Sequence, residues 1–248
     1  MTYNTLTDGQ TISGFRTVAV YLNDSDRPMG ARFIHQRSGF TLDVLDIQSV
    51  PQAYVWVTTF PSSDMGEPHT QEHLLLGKGN KGREVASHET TSLTSSTAFT
   101  AQWKTAYTFY TSAGGDVFFD EFERRLDALL HPDYTDEEIR REVRNFAVAE
   151  NPSDHSLRLE EKGSVYNEMV TSMDQPGRLV YYKALTTVYG TQHPLSWVSG
   201  GTPEGIRMLQ PSDIRKFHAE HYHLKNMGAN ILVANEISGR PREVATGD

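Results

Sequence analysis

With 248 residues, 37% of them hydrophobic and 10% aromatic, the chain can bury a sizeable core, which excludes wholesale disorder. Its formal net charge of −9, with no Lys/Arg cluster, argues against the basic stripe of a nucleic-acid binder. Cysteine is absent, so disulfides and thiolate metal sites are ruled out and any metal must be held by His, Asp or Glu.

The first ten residues carry neither the basic and apolar regions of a signal peptide nor the Arg-rich pattern of a transit peptide. No apolar run approaches the ~20 residues of a membrane span. A soluble protein is therefore expected, cytoplasmic by default. Short stretches of β-formers predict strands over 14–22, 32–35, 41–45 and 53–60. Pro68 at a first helical position and Gly77 at a left-handed C-terminal position predict a short helix over 68–76. The Thr/Ser-rich stretch 82–96 is only weakly helical. Two strands follow, over 96–101 and 106–112, around a turn at Gln102, Trp103 and Lys104.

The second half is mostly helical. Over 116–130, Phe118, Phe122, Leu126 and Leu129 fall near one face at helical spacing, and His131-Pro132 stops the helix. Thr135 with Glu138 forms a capping box opening the next helix. The turn signal Asn151-Pro152-Ser153-Asp154 makes 146–159 an excursion such as a hairpin. Further helices are expected over 160–172, 177–189, 203–209 and 212–221, and a last strand over 229–234. A polar tail from Asn235 is expected to be disordered. Strands and helices in blocks indicate one α+β domain over 1–234, a two-layer antiparallel sheet packed against helices. Such a sheet would take a further element after Ala234.

The chemistry concentrates in His69-Thr70-Gln71-Glu72-His73, which matches H-x-x-E-H, an inverted zinc-peptidase motif. On a helix, residues four apart stand one turn above each other, so both imidazoles can reach one metal ion. Glu72 lies on the adjoining edge of that face, placed to take a proton from a water that zinc makes acidic. Two His leave a catalytic zinc one protein ligand short, and the candidate is Glu168. Glu161 stands seven residues before it. On the helix expected over 160–172 the two carboxylates share a face, one to ligate and one to support the ligands from behind.

These motifs resemble the insulinase/pitrilysin family of zinc peptidases, and most of all its presequence-protease branch. Val165-Tyr166-Asn167-Glu168-Met169 is similar to that branch's third-ligand segment, and the long gap from His73 suits it. Ser96-Thr97-Ala98-Phe99-Thr100 followed by Thr105-Ala106-Tyr107 resembles the family's edge strand. The helix ending at Pro132, the segment Gly200 to Ile206, and Phe217 to Asn226 extend the likeness over 14–234. The resemblance implies one zinc ion held by His69, His73 and Glu168, Glu72 as general base, and Glu161 behind the ligands. It also implies extended peptide substrates contacting Thr97, Ala98 and Phe99. Where the family usually has Asn, this chain has Thr97, whose hydroxyl reaches less far than an amide. Family enzymes complete the site from a second half, so the resemblance implies later domains or a partner chain. The alternative expectation is a metal-binding assembly subunit that is weakly proteolytic or not proteolytic at all. A zinc hydrolase acting on small molecules would not explain the edge-strand likeness.

Overall fold

The computed structural model describes residues 5–234, and the tail expected from Asn235 lies outside them. Strands β1 (Thr11–Ile12), β2 (Phe15–Leu22), β3 (Pro28–His35) and β4 (Thr41–Asp46) run as an antiparallel meander. After β5 (Gln52–Thr58) come helices α1 (Glu67–Leu75) and α2 (Gly79–Thr91), the hairpin β6 (Thr94–Thr100) and β7 (Lys104–Thr111), then α3 (Gly115–Leu130) and α4 (Asp136–Val143). A separate hairpin, β8 (Asn145–Glu150) and β9 (Leu157–Lys162), precedes α5 (Ser164–Met173) and α6 (Pro176–Tyr189). Helices α7 (Pro203–Met208) and α8 (Pro211–His221) lead to β10 (Met227–Val233).

Eight strands form one sheet in the order β1-β2-β3-β4-β10-β5-β7-β6. The expected wholly antiparallel sheet is instead mixed: β10 pairs antiparallel with β5 and parallel with β4. The reason is geometric. β4 and β5 are joined by the short link 47–51 and run in opposite directions on either side of β10, so a strand between them must parallel one of the two.

Alternation along the central strands sets the two layers. Ala53, Val55 and Val57 of β5 are buried, and their register partners are Phe109, Tyr107 and Thr105 on β7 and Ile231, Ala229 and Met227 on β10. This face packs under the helices, against Leu74, Phe118, Ile139, Val165, Ile214 and Phe217. The opposite face carries Tyr54, Trp56, Thr108 and Tyr110, none of them buried. There the indole Nε1–H of Trp56 donates to Asn230 Oδ1 at 3.2 Å.

Three local expectations change. The weakly helical stretch is a full helix, α2, which ends in time for β6 to begin at Thr94. Gly77 is not left-handed; Gly66 is (φ 80), as the N-cap of α1, where an added Cβ would lie 2.5 Å from the Gly200 carbonyl oxygen. The helix expected from residue 160 begins only at Ser164, because 157–162 pair with β8. Gly163 (φ 131) makes the break and passes so close to α4 that an added Cβ would meet the Val143 carbonyl oxygen at 2.5 Å. The hairpin thus returns the chain to where it left, setting α5 beside α4.

The capping box forms as the sequence predicts. Thr135 Oγ1 accepts from the Glu138 backbone N–H at 3.2 Å, and Glu138 Oε2 accepts from the Thr135 N–H at 2.8 Å. Glu138 Oε1 accepts from the Gly79 N–H and pairs with Arg83, tying α2 to α4. The Thr135 N–H foremost, then Arg83 and Gly79, outweigh burial and hold the Glu138 carboxyl at about 2. Thr135→Ala should cost about 1 kcal/mol in urea unfolding at neutral pH. Because the folded value is depressed, the carboxylate's contribution is complete above the ordinary value of 4.5 and is lost as pH falls towards about 2. Glu138→Gln should therefore destabilise at neutral pH, with the difference from the native chain closing across that window.

Candidate metal centre

Helix α1 is buried along almost its whole length, yet Glu67, His69, Thr70, Gln71 and Glu72 are among its buried residues. A helix enclosed on most sides is normally apolar, because an unpaired buried polar group costs kilocalories. Partners answer most of these groups. Ser62 and Ser63 donate to Glu67 Oε1, and Gln71 exchanges hydrogen bonds with the Tyr134 hydroxyl at 2.9 and 3.0 Å. Thr100 Oγ1 donates to Glu72 Oε2 at 2.5 Å. The turn between His69 and His73 points both imidazoles at one place, with their Nε2 atoms 3.1 Å apart and their rings nearly perpendicular.

The third group arrives from α5. Glu168 Oε1 lies 3.4 Å from His69 Nε2, and Oε2 lies 3.3 Å from His73 Nε2. The His69 hydrogen bond foremost, against some burial, with His73 beside it, lowers the Glu168 carboxyl from its ordinary value. His73 Nδ1 faces Glu142 Oε1 at 3.0 Å, and Lys78 Nζ meets the same carboxylate's Oε2 at 2.8 Å. Burial works to raise the Glu142 carboxyl, but hydrogen bonds from His73 and Lys78 and the Lys78 charge hold it at about 2. Burial lowers His73, and the Glu142 hydrogen bond with the Glu142, Glu168 and Glu72 charges overcomes it, so the imidazole is raised overall.

This arrangement fits a divalent cation. With Glu142 accepting the Nδ1 proton of His73, the Nε2 lone pair faces His69 Nε2 and the Glu168 carboxylate. Lone pairs so close repel unless a proton or a metal ion lies among them. Two donors each ~2.0–2.1 Å from a tetrahedral zinc ion stand roughly 3.3–3.4 Å apart, close to the separations seen. Among the described residues, His69, His73 and Glu168 are the His/Asp/Glu group whose donor atoms converge in this way.

The expected second carboxylate is placed elsewhere. Glu161 lies on β9, not on the helix of Glu168, and its carboxylate is held by Arg144 at 2.7 Å, Arg207 at 2.8 Å and the Tyr166 hydroxyl at 2.5 Å. Gly163 separates the two residues into strand and helix, so helical spacing does not relate them. The carboxylate behind His73 is Glu142, which no spacing rule links to it from across the chain. Thr97 and Phe99 are exposed on the sheet face turned from α1, while Ala98 and Thr100 face the helix side, so Thr100 is the strand residue beside Glu72. β6 lies at the edge of the sheet, with backbone groups on one side unpaired within it.

The layered sheet and the helix-borne group define a pitrilysin-like α+β domain. Pitrilysin superposes with a TM-score of 0.65 at 18% identity, covering 93% of this chain and 23% of that one. An M16-like peptidase from Alicyclobacillus acidocaldarius gives 0.61 at 19% identity, covering 93% and 49%. No family model matches the chain. In sequence, mitochondrial presequence protease of Gibberella zeae is 36% identical over 177 residues, 68% of this chain and 17% of that protein. Its namesake in Danio rerio is 34% identical over 177 residues, 68% and 16%, and that of Xenopus tropicalis 30% over 213 residues, 79% and 18%. The chain belongs to the M16/pitrilysin family, as a domain related to presequence protease. It spans about a sixth of the length of these curated relatives. No helix among the described residues is long and apolar enough to cross a membrane.

Removing the support behind His73 should be felt at the metal rather than in the fold. Glu142→Gln should weaken zinc affinity about 10–100-fold in competition with a chelating dye, with unchanged far-UV circular dichroism.

Proposed function

We propose that this chain is the catalytic domain of a zinc endopeptidase acting on short or unfolded peptides. The observation that carries the reading is the convergence of His69, His73 and Glu168 beside Glu72, at the end of an edge strand. Zinc, when bound by those three residues, supplies a Lewis acid that brings the pKa of water to ~7. Thr100 occupies Glu72 Oε2, so Oε1 is the oxygen left to take a proton from the attacking water and return it to the leaving amine.

Substrate selection starts with the backbone. The open side of β6 offers N–H and C=O groups to an extended peptide, which favours chains that are already unfolded. Ala98 lies within the strand, and Thr97 and Phe99 on its outer face would meet side chains that reach around the edge. A second half, from later domains or a partner chain of the same family, completes the site for full turnover. A metal-binding subunit with little proteolysis is the competing reading, and peptide cleavage separates the two.

His73→Ala should lose most of the one zinc per chain expected by metal analysis; full retention would sink the ligand assignment. Glu72→Gln should keep zinc and lose hydrolysis of an unstructured fluorogenic peptide by at least ~100-fold. Loss of zinc in Glu72→Gln would make Glu72 a ligand instead.

A further inference from the structure

The metal group opens into a cavity of about 90 Å³ whose far wall the mechanism above does not use. Glu168 and Ser172 line it from α5, Arg178 and Tyr182 from α6, and Ser199 and Gly200 from the loop before α7. Helical spacing explains the pairing on each side: 168 and 172 share a face of α5, and 178 and 182 share a face of α6. The connection between the helices is only Asp174 and Gln175, with Pro176 starting α6, so the two faces are held close. Gly200 keeps the floor open, since a Cβ there would lie 2.6 Å from Met169 Sδ.

Arg178 differs from most arginines of the helical layer. Arg83, Arg125, Arg144, Arg207 and Arg215 each face a carboxylate within 4.0 Å, whereas Arg178, like exposed Arg140 on α4, makes no such pair with a described residue; of these two, Arg178 is the one that lines the cavity. Its neighbour is the hydroxyl of buried Tyr182. Glu168 is the one acidic side chain in the cavity lining, and in the reading proposed above its charge is committed to the metal. A guanidinium presents a planar fork of donors that matches a carboxylate in two parallel hydrogen bonds. Tyr182, Ser172 and Ser199 add hydroxyls around the same space.

We infer that Arg178 makes this cavity a carboxylate subsite, selecting peptide substrates with a Glu or Asp side chain beside the bond at the metal. The inference rests on the endopeptidase reading and adds a specificity to it. Backbone pairing along β6 accepts many sequences, so a charged pocket next to the metal is where one side chain can be discriminated. Space for one side chain and a cation without a carboxylate of its own point to an acidic residue. An acidic peptide side chain supplies the second half of an ion pair that the fold leaves open.

The test uses the full chain carrying Glu72→Gln and loaded with zinc, which binds peptides without cutting them. C-terminally amidated, fluorescein-labelled peptides of Ala, Ser and Gly are compared by anisotropy, identical except for one Glu or one Gln. We expect the Glu peptide to bind about tenfold more tightly, and added Arg178→Gln to remove that difference while changing Gln-peptide affinity less than twofold. Arg178→Lys should retain part of the preference, since it keeps the charge but not the fork. Raising salt should shrink the preference, because Arg178 is exposed. If the Glu peptide binds no better than the Gln peptide, or if the preference survives Arg178→Gln, the inference is overturned. A third peptide, with Gln and a free C-terminus at that position, tests the other source of a carboxylate; tighter binding of that peptide alone would overturn the side-chain assignment. Zinc measured on these samples and on the chain with Glu72 intact separates the two levels: bound zinc without acidic preference sinks only the subsite, and absence of zinc from the chain with Glu72 intact sinks the endopeptidase reading itself.

Discussion

Two imidazole nitrogens held 3.1 Å apart by one helical turn are the constraint on which the neighbouring structure depends. Neither ring can swing into solvent freely, because α1 is buried from Glu67 to Glu72 and packs on the core through Leu74. Burial with no solvent face leaves the polar groups of this helix dependent on protein partners, and most of them have one. Tyr134 answers Gln71, Thr100 answers Glu72, Glu142 answers His73, and the serines before the helix answer Glu67. His69 Nδ1 is buried with no partner among the described residues, and this imidazole's polar interaction lies on its Nε2 side, where the other two donors converge. A buried polar network of this kind fixes geometry more than it adds stability, since each ion taken out of water costs kilocalories before any pairing is counted.

The helices that meet α1 are positioned by the excursion between them. α4 supplies Glu142 and α5 supplies Glu168, yet the hairpin β8–β9 separates them in sequence. Gly163 is the point of return, with its backbone against the Val143 carbonyl, and the Arg144–Glu161–Arg207 cluster with Tyr166 locks the hairpin base to α5 and α7. Glu161 thus acts on the site at one remove. It bonds Tyr166, which lies on the same helix as Glu168 and is itself buried in the core. Arg207 and the Tyr166 hydroxyl foremost pull the Glu161 carboxyl well below the ordinary carboxylate range, so this clamp stays charged at neutral pH.

Much of this was legible in the sequence where the signal is local. The inverted motif, the capping box at Thr135, the amphipathic α3 and the alternating strands each depend on residues within a few positions, and each formed near its expected bounds. What could not be read is what depends on pairing at a distance. The parallel partnership of β10 with β4 follows from the order in which strands fill a sheet, not from the pattern of Met227–Val233. Glu142 has the look of any acidic residue on a charged helix, and only the folded chain brings it to His73. Glu161 is the complementary case: the residues around it fit helical spacing, but β8 recruits them into a strand. Thr100 belonged to the recognised edge-strand motif, but strand alternation, not likeness, decides that it rather than Thr97 faces Glu72.

The two sides of the metal group are solvated differently, and this bears on how the proposed chemistry would work. Glu72 and His69 are buried, while the Glu168 side chain is about half exposed on the cavity side. An electrostatic interaction worth about 1 kcal/mol at 4 Å in bulk water is worth about 4 kcal/mol at an effective dielectric of ~20. The buried side of the site is therefore preorganised before any substrate arrives, and the cavity side gains strength only when something displaces its water. On the proposed reading, an extended peptide paired along β6 would cover one flank and a carboxylate at Arg178 would close the other, so substrate binding itself would lower the dielectric around Glu168. On this physical picture, binding energy from side chains away from the scissile bond appears in kcat rather than only in KM, because it tightens interactions at the reacting centre. Short peptides that fill β6 but leave the α5–α6 cavity wet would bind without that gain.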